Sequence, residues 1–169
     1  TAWSYSSLNT LKQCPKKYYH LKVARDFKDT GSSAMHYGNA VHKAAEHYIK
    51  DGTPIPPKFK FVEESLKVLQ NIEGEKHCEI RFGLAKSKGD YYPTGFFAKD
   101  VWWRGIADLL IIDGDKAYLV DYKTGKNAKY ADTKQLDLLA GATFVYYPEV
   151  KTIKSALAYV VSNEFIHKE

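Results

Sequence analysis

Residues 102–123 read WWRGIADLLIIDGDKAYLVDYK, two runs of aliphatic and aromatic residues joined by Asp113-Gly114-Asp115. Such runs flanking an Asp-Gly or Gly-Asp pair predict a β-hairpin, with Trp102 to Ile112 antiparallel to Lys116 to Lys123. Side chains alternate between the two faces of a strand, so the turn decides which residues meet. A two-residue loop at Asp113-Gly114 makes Asp108 and Asp121 diagonal neighbours, ~7–8 Å apart at Cβ, whereas a loop at Gly114-Asp115 sets them opposite at ~5 Å. Both placements put the carboxylates on one face, and Lys123, two residues past Asp121, projects from that face as well.

Two facing carboxylates repel and destabilise a bare hairpin, and a divalent cation such as Mg²⁺ or Mn²⁺, held by oxygen ligands, reverses that sign. A lysine beside such a cation stabilises negative charge developing on a phosphate or orients an attacking water. The plainer reading of the same spacing is a surface salt bridge on a wet sheet face.

Outward from the hairpin, Cys78, Ile80, Phe82 and Leu84 alternate with His77, Glu79 and Arg81, which predicts a strand with one buried face and Glu79 on the polar one. The stretch KSKGDYYPTG, residues 86–95, has too little apolar content for a buried element and reads as a mobile basic loop. Phe59, Val62, Leu66 and Leu69 predict an amphipathic helix closing near Gly74. Tyr37, Val41, Ala44 and Tyr48 predict another from Met35 to Lys50, stopped by Asp51-Gly52. Ser4-Tyr5-Ser6-Ser7-Leu8 offers N-cap hydroxyls for a short helix, and Pro15 restarts a second. Beyond the flexible Thr124-Gly125, Gln135 to Ala142 reads as a helix and Ile153 to Val161 as a strand. This order predicts one α/β domain over residues 1–169, a mixed sheet with helices on its faces.

Of 169 residues, 44% are hydrophobic and 14% aromatic, ample for a core of that size. The net charge of +5 suits a polyanionic partner such as DNA but is common elsewhere. Cys14 and Cys78 are the 2 cysteines, so one chain supplies neither a disulfide framework nor a four-thiolate metal or iron–sulfur site. No apolar run approaches a membrane span, and Thr1-Ala2-Trp3-Ser4 lacks the regions of a signal peptide. The expectation is a soluble protein of the reducing cytoplasm, without membrane contact, and a protein partner or homo-oligomer stays open.

Gly105-Ile106-Ala107-Asp108 followed by Val120-Asp121-Tyr122-Lys123-Thr124-Gly125 resembles the GxxD and DYKTG motifs of RecB-like nucleases in the PD-(D/E)XK superfamily. Ser4-Tyr5-Ser6-Ser7-Leu8 with Cys14-Pro15-Lys16-Lys17-Tyr18 is similar to the opening of phage and CRISPR-associated relatives, and Gly38-Asn39-Ala40-Val41-His42 to their GxxxH helix. The resemblance implies a restriction-endonuclease-like core and metal-dependent DNA cleavage, as an exonuclease, in recombination, repair or phage DNA processing within a host cytoplasm. It implies that Asp108, Asp121, the Tyr122 carbonyl, His42 and Glu79 surround the metal, with Lys123 and His42 taking part in catalysis.

Gln135-Leu136 resembles the start of a QLxxY helix and puts Gln135 near the site or the DNA, although Leu139 stands where tyrosine is usual. Thr124 and Lys126, just past the lysine, are further expected substrate contacts. Lys16, Lys17, Lys86, Lys88 and Lys129 are expected to follow the backbone, with Tyr91, Tyr92 or Tyr130 stacking on bases.

Many relatives hold an iron–sulfur cluster that this cysteine count does not allow, and Cys14 is then expected to be a small buried residue. For His42 alone, the plainer reading is a helix-surface histidine paired with Glu46 one turn later. For the whole chain, the alternatives are a non-catalytic DNA-binding or regulatory module on the same fold, and a phosphodiesterase of RNA or nucleotides.

Overall fold

A computed structural model describes residues 2–129 and 131–169, so that Thr1 and the stacking candidate Tyr130 lie outside the described residues. Strands β1 (Glu75–Ser87), β2 (Asp90–Thr94), β3 (Val101–Asp113), β4 (Lys116–Lys123), β5 (Thr152–Tyr159) and β6 (Glu164–Lys168) form one sheet in the order β2-β1-β3-β4-β5-β6. Neighbours are antiparallel except β4 and β5, which run parallel. The helix Lys134–Tyr146 carries the chain between those two, as a parallel pair requires. This mixed sheet flanked by helices is the α/β arrangement expected of a restriction-endonuclease-like core.

In the hairpin, Asp113 pairs with Lys116, so the loop is Gly114-Asp115, and Gly114 takes φ +58°, where a side chain would be strained. The ladder runs as far as Leu109 opposite Val120 and then stops. One step further the register would oppose Asp108 to Asp121, but there Asp108 Oδ2 accepts the Tyr122 N–H at 2.7 Å. Past that point β4 continues beside β5 up to Lys123. The edge of β3 is taken instead by the N-terminal segment: the Trp3 N–H donates to Trp102 O, and the Arg104 N–H to Trp3 O, both at 3.0 Å.

Among the described residues, five α-helices, numbered in chain order, with a π-helical and a 3-10 turn cover the sheet and its end. Tyr5–Gln13 is α1 and Pro15–Tyr18 is α2, continued by a π-helical turn, Tyr19–Ala24. Helix α3, Ser33–Asp51, begins where the Ser32 side chain accepts the Met35 N–H and ends at Gly52, φ +68°. Its buried residues are Val41, Ala45, Tyr48 and Ile49, so the core stripe lies beside the expected Tyr37/Ala44 line. The single helix expected from Phe59 is a 3-10 turn, Pro57–Val62, followed by α4, Glu63–Gln70. Gly74 is not its cap: at φ +127° it leads into β1, where a Cβ would come within 2.6 Å of the Ile112 carbonyl oxygen.

These helices bury Leu66, Leu69, Leu109, Ile111, Val120 and Tyr122 on one face of the sheet. On the other, α5 (Lys134–Tyr146) buries Leu136, Leu139 and Ala142 against Phe82, Leu110, Leu119 and Leu157. Full burial of side chains of this size contributes roughly 1.5–3 kcal/mol each.

Three expectations are corrected. The alternation through Cys78, Ile80, Phe82 and Leu84 does not share one face: Cys78 packs with the α3 core, and the other three pack with the α5 core. Opposite it, Leu109 belongs to the α3 core and Ala107 to the α5 core, so both strands change face at Glu79 and Asp108. In β1 the change goes with Glu79 at φ +52°, since one left-handed residue breaks the two-residue repeat. Second, the basic stretch 86–95 is no loop: Lys88 (φ +51°) and Gly89 (φ +93°) turn β1 into β2, which pairs Ser87 with Asp90 through Gly83 with Thr94. An edge strand tolerates Pro93. Third, Cys14 is exposed; it joins α1 to α2, its sulfur accepting the Lys17 N–H at 3.4 Å. Strand β6 was not expected, being short and half charged. Among the described residues, no helix is long and apolar enough to cross a membrane.

Candidate active site

The site forms where the β3–β4 ladder ends, with α3 lying across it. Gly38 allows the approach: a Cβ there would stand 3.3 Å from Thr124 Oγ1. One turn on, the His42 Nε2–H donates to the Tyr122 carbonyl at 3.0 Å, and Nδ1 lies 3.2 Å from Asp108 Oδ1. Both neighbours are acceptors, so the ring fits as an imidazolium with both nitrogens protonated. Burial depresses its pKa, but the hydrogen bond and charge of Asp108, aided by Asp121 and Glu79, outweigh burial and raise it. His42 therefore turns to the strands, and the alternative pairing with Glu46 is not formed.

Asp108 and Asp121 are 7% and 5% exposed, which removes them from any wet sheet face. Burial and the neighbouring Asp108 push the Asp121 carboxyl above its usual range. Asp121 Oδ2 sits 2.6 Å from Lys123 Nζ but is buried without a directed hydrogen bond. The charge of Asp121 in turn outweighs the burial of Lys123 and raises its pKa, so the ammonium persists at neutral pH. Burial, then Asp108 and Glu46, raise Glu79.

One ligand atom each from His42, Glu79 and Asp108 lies within 4.8 Å of the other two. With the Tyr122 carbonyl bonded to His42 and the underbonded Asp121 oxygen alongside, the cluster offers carboxylates, one carbonyl and one imidazole. Such mostly hard donors suit a divalent cation. Two buried carboxylates with a half-buried third beside them cost free energy that Lys123 and a protonated His42 offset in part and a bound cation would offset further.

Residues 2–159 match the family model of the PD-(D/E)XK nuclease superfamily. The chain belongs to that superfamily. No curated protein gives a significant match to it. PD-(D/E)XK nucleases act on nucleic acid with the help of divalent metal, and the acidic cluster at the end of the β3–β4 ladder is a candidate position for such an ion.

Around this candidate site the other expected residues scatter. Thr124 is half-buried against Gly38, whereas Lys126 is exposed in the following loop. Gln135, in the first turn of α5, lines a cleft with Ser4, Tyr5 and Arg104. Lys16, Lys17, Lys86, Lys88 and Lys129 are exposed, as are Tyr91 and Tyr92. Lys86 lies over Tyr91 and Trp102 at 5.5 and 5.2 Å. Two residues were missed. The Tyr5 hydroxyl donates to Asp132 and its phenol is close enough to Lys123 to feel the charge, yet nothing in local spacing ties residues so far apart. Arg81, whose charge lowers the Glu79 pKa, gave only the signal of a polar strand face.

Proposed function

We propose that this chain is a DNA nuclease of the RecB-like branch, a single domain working with Mg²⁺ or Mn²⁺ and without an iron–sulfur cluster. The observation that carries this reading is the convergence of His42, Glu79 and Asp108 donors within 4.8 Å, beside the Asp121–Lys123 pair. Asp108, Asp121, Glu79, the Tyr122 carbonyl and His42, once it has released a proton, would hold the metal. The ion supplies Lewis acidity toward the phosphate and the attacking water.

Lys123, kept protonated by Asp121, acts as a fixed positive charge facing the phosphate oxygens as negative charge builds, and not as the general base. Asp108 orients the site by holding the Tyr122 N–H, which fixes the peptide plane between Asp121 and Tyr122. Thr124, Lys126 and Gln135 contact the strand that carries the scissile bond. The activity proposed is exonucleolytic, in recombination, repair or phage DNA processing in a cytoplasm.

The test is cleavage of end-labelled linear and closed circular DNA, single- and double-stranded, beside RNA and nucleotides, in Mg²⁺, Mn²⁺ or EDTA. Linear DNA should be cut only with metal and circles spared, and Asp108→Ala should abolish cutting. Cut circles would replace exonuclease by endonuclease, and preferred RNA would move the substrate class. DNA binding with no cleavage in either metal would leave a non-catalytic module.

A further inference from the structure

Away from the acidic cluster, the N-terminal segment and the turn Tyr19–Ala24 enclose an open cleft of about 340 Å³, bordered by Ser4, Ser7, Tyr18, Lys22, Arg25 and Arg104. Three of these are cations and three carry hydroxyls, and no carboxylate lines the cleft. Among the described residues none of the three cations belongs to an ion pair. Arg25 closes the preceding turn in the left-handed region, at φ +56°. Its Nε–H donates to the Lys22 carbonyl at 3.4 Å.

Arg104 lies over Phe96 and Phe97, 5.3 and 5.6 Å from their ring centres, and its Nε is buried without a hydrogen-bond partner. Cations gathered with no counter-charge focus an attractive field for anions, and guanidinium forks match phosphate oxygens. The cleft also opens toward the side of the molecule that holds Gln135. It shares Ser4 and Arg104 with a neighbouring cleft of about 310 Å³ that continues to Tyr5, Ile106 and Gln135, and Tyr5 lies near enough to Lys123 to feel its charge.

We propose that this cleft is a phosphate subsite, binding a phosphate of the substrate strand other than the one being cut. The proposal rests on the nuclease reading for its substrate, not for its chemistry. The charge count favours a strand end: a diester carries one negative charge, a terminal monoester about −1.5 to −2, nearer to three cations. A strand anchored by its end would present a fixed length to Lys123.

The experiment measures binding of fluorescent single-stranded and duplex oligonucleotides in EDTA, where nothing is cut. Ends carry 5′-phosphate, 3′-phosphate or hydroxyl, and wild type is compared with Lys22→Gln/Arg25→Gln. Wild type should prefer one phosphorylated end by about tenfold, a single strong charge-assisted contact, and the double variant should lose that preference. Equal weakening on all ends, with a salt slope lower by about two, would also support the subsite, as one for an internal phosphate.

Binding by a folded double variant that matches wild type on every oligonucleotide, at every salt concentration, would overturn the proposal. Both side chains are exposed, so a thermal melt should show the variant folded, and Arg25→Lys in the Lys22 wild-type background should keep most of the preference. A chain that discriminates ends in EDTA yet never cuts would retain the subsite and lose the nuclease reading. One that cuts normally but shows no effect of the double variant would do the reverse.

Discussion

β3 and β4 have two ends of opposite character. From Asp113 to Leu109 every β3 residue has its partner on β4, with Leu110 and Leu119 buried on one face and Leu109 and Val120 on the other. A few residues on, the ladder is gone, two carboxylates are buried, Glu79 is in the left-handed region, Asp121 Oδ2 has the Lys123 ammonium as its partner, and Tyr122 Oη is buried without one. The paired end supplies stability, and the open end draws on it to keep charges out of water. Activity and stability should therefore separate along one hairpin.

The widest separation is expected at Asp121→Asn. Cleavage should fall to background, beyond the ~10³-fold typical of losing one electrostatic contact. The melting temperature in EDTA should change little, because the neutral isostere relieves the burial and Asp108 repulsion that disfavour the charged carboxylate while giving up its pairing with Lys123. A variant melting several degrees lower would break the comparison. Lys123→Ala should cost about 10²–10³-fold in kcat, read under single-turnover conditions. At the paired end, Leu110→Ala should destabilise by about 2–5 kcal/mol in denaturant unfolding, with cleavage per folded molecule retained at low temperature.

A smaller effect is expected from pH in the metal-free protein. Glu79 and Asp121 have raised pKa values against ordinary ones of 4.5 and 3.8. The folded chain thus holds protons that the unfolded chain has released, and stability falls as pH rises from about 4 through the raised values. His42 extends the fall: its contribution is complete below its ordinary 6.5 and is lost as pH passes its raised value. Melting temperatures in EDTA should decline over that window, and added Mn²⁺ should recover more at its alkaline end; a flat profile would show that the open end carries no such penalty. The smallest expected change is Ser4→Ala. It removes the cap that accepts the Ser7 N–H, at about 1 kcal/mol, or roughly 2–4 °C in a melt.

The same two ends explain what could be read in advance. The paired end obeys local rules: apolar runs, a Gly-Asp turn and strict alternation put Asp108, Asp121 and Lys123 in one neighbourhood. Helix α3 carried its apolar spacing and its stop at Gly52 in the sequence, while its start at Ser32 came only with the structure. The open end does not obey them. Nothing local to Glu79 announces a positive φ, so the change of face along β1 was hidden. The edge strands β2 and β6 are mostly polar because only one side of each is paired, and polar composition reads as loop. Tyr5, Arg104 and the Trp3 bridge depend on contacts across most of the chain, which no window of sequence contains.

The borders of the sheet bear on how copies of this chain can associate. On one side the last strand is Asp90–Thr94, interrupted by Pro93; on the other it is Glu164–Lys168, five residues with charges at both ends. Proline withholds a donor and the charges resist close stacking. Neither rim is a good template for a further strand from another molecule, so any self-assembly has to go through helices and side chains, and crowding of the native protein should not by itself seed fibres.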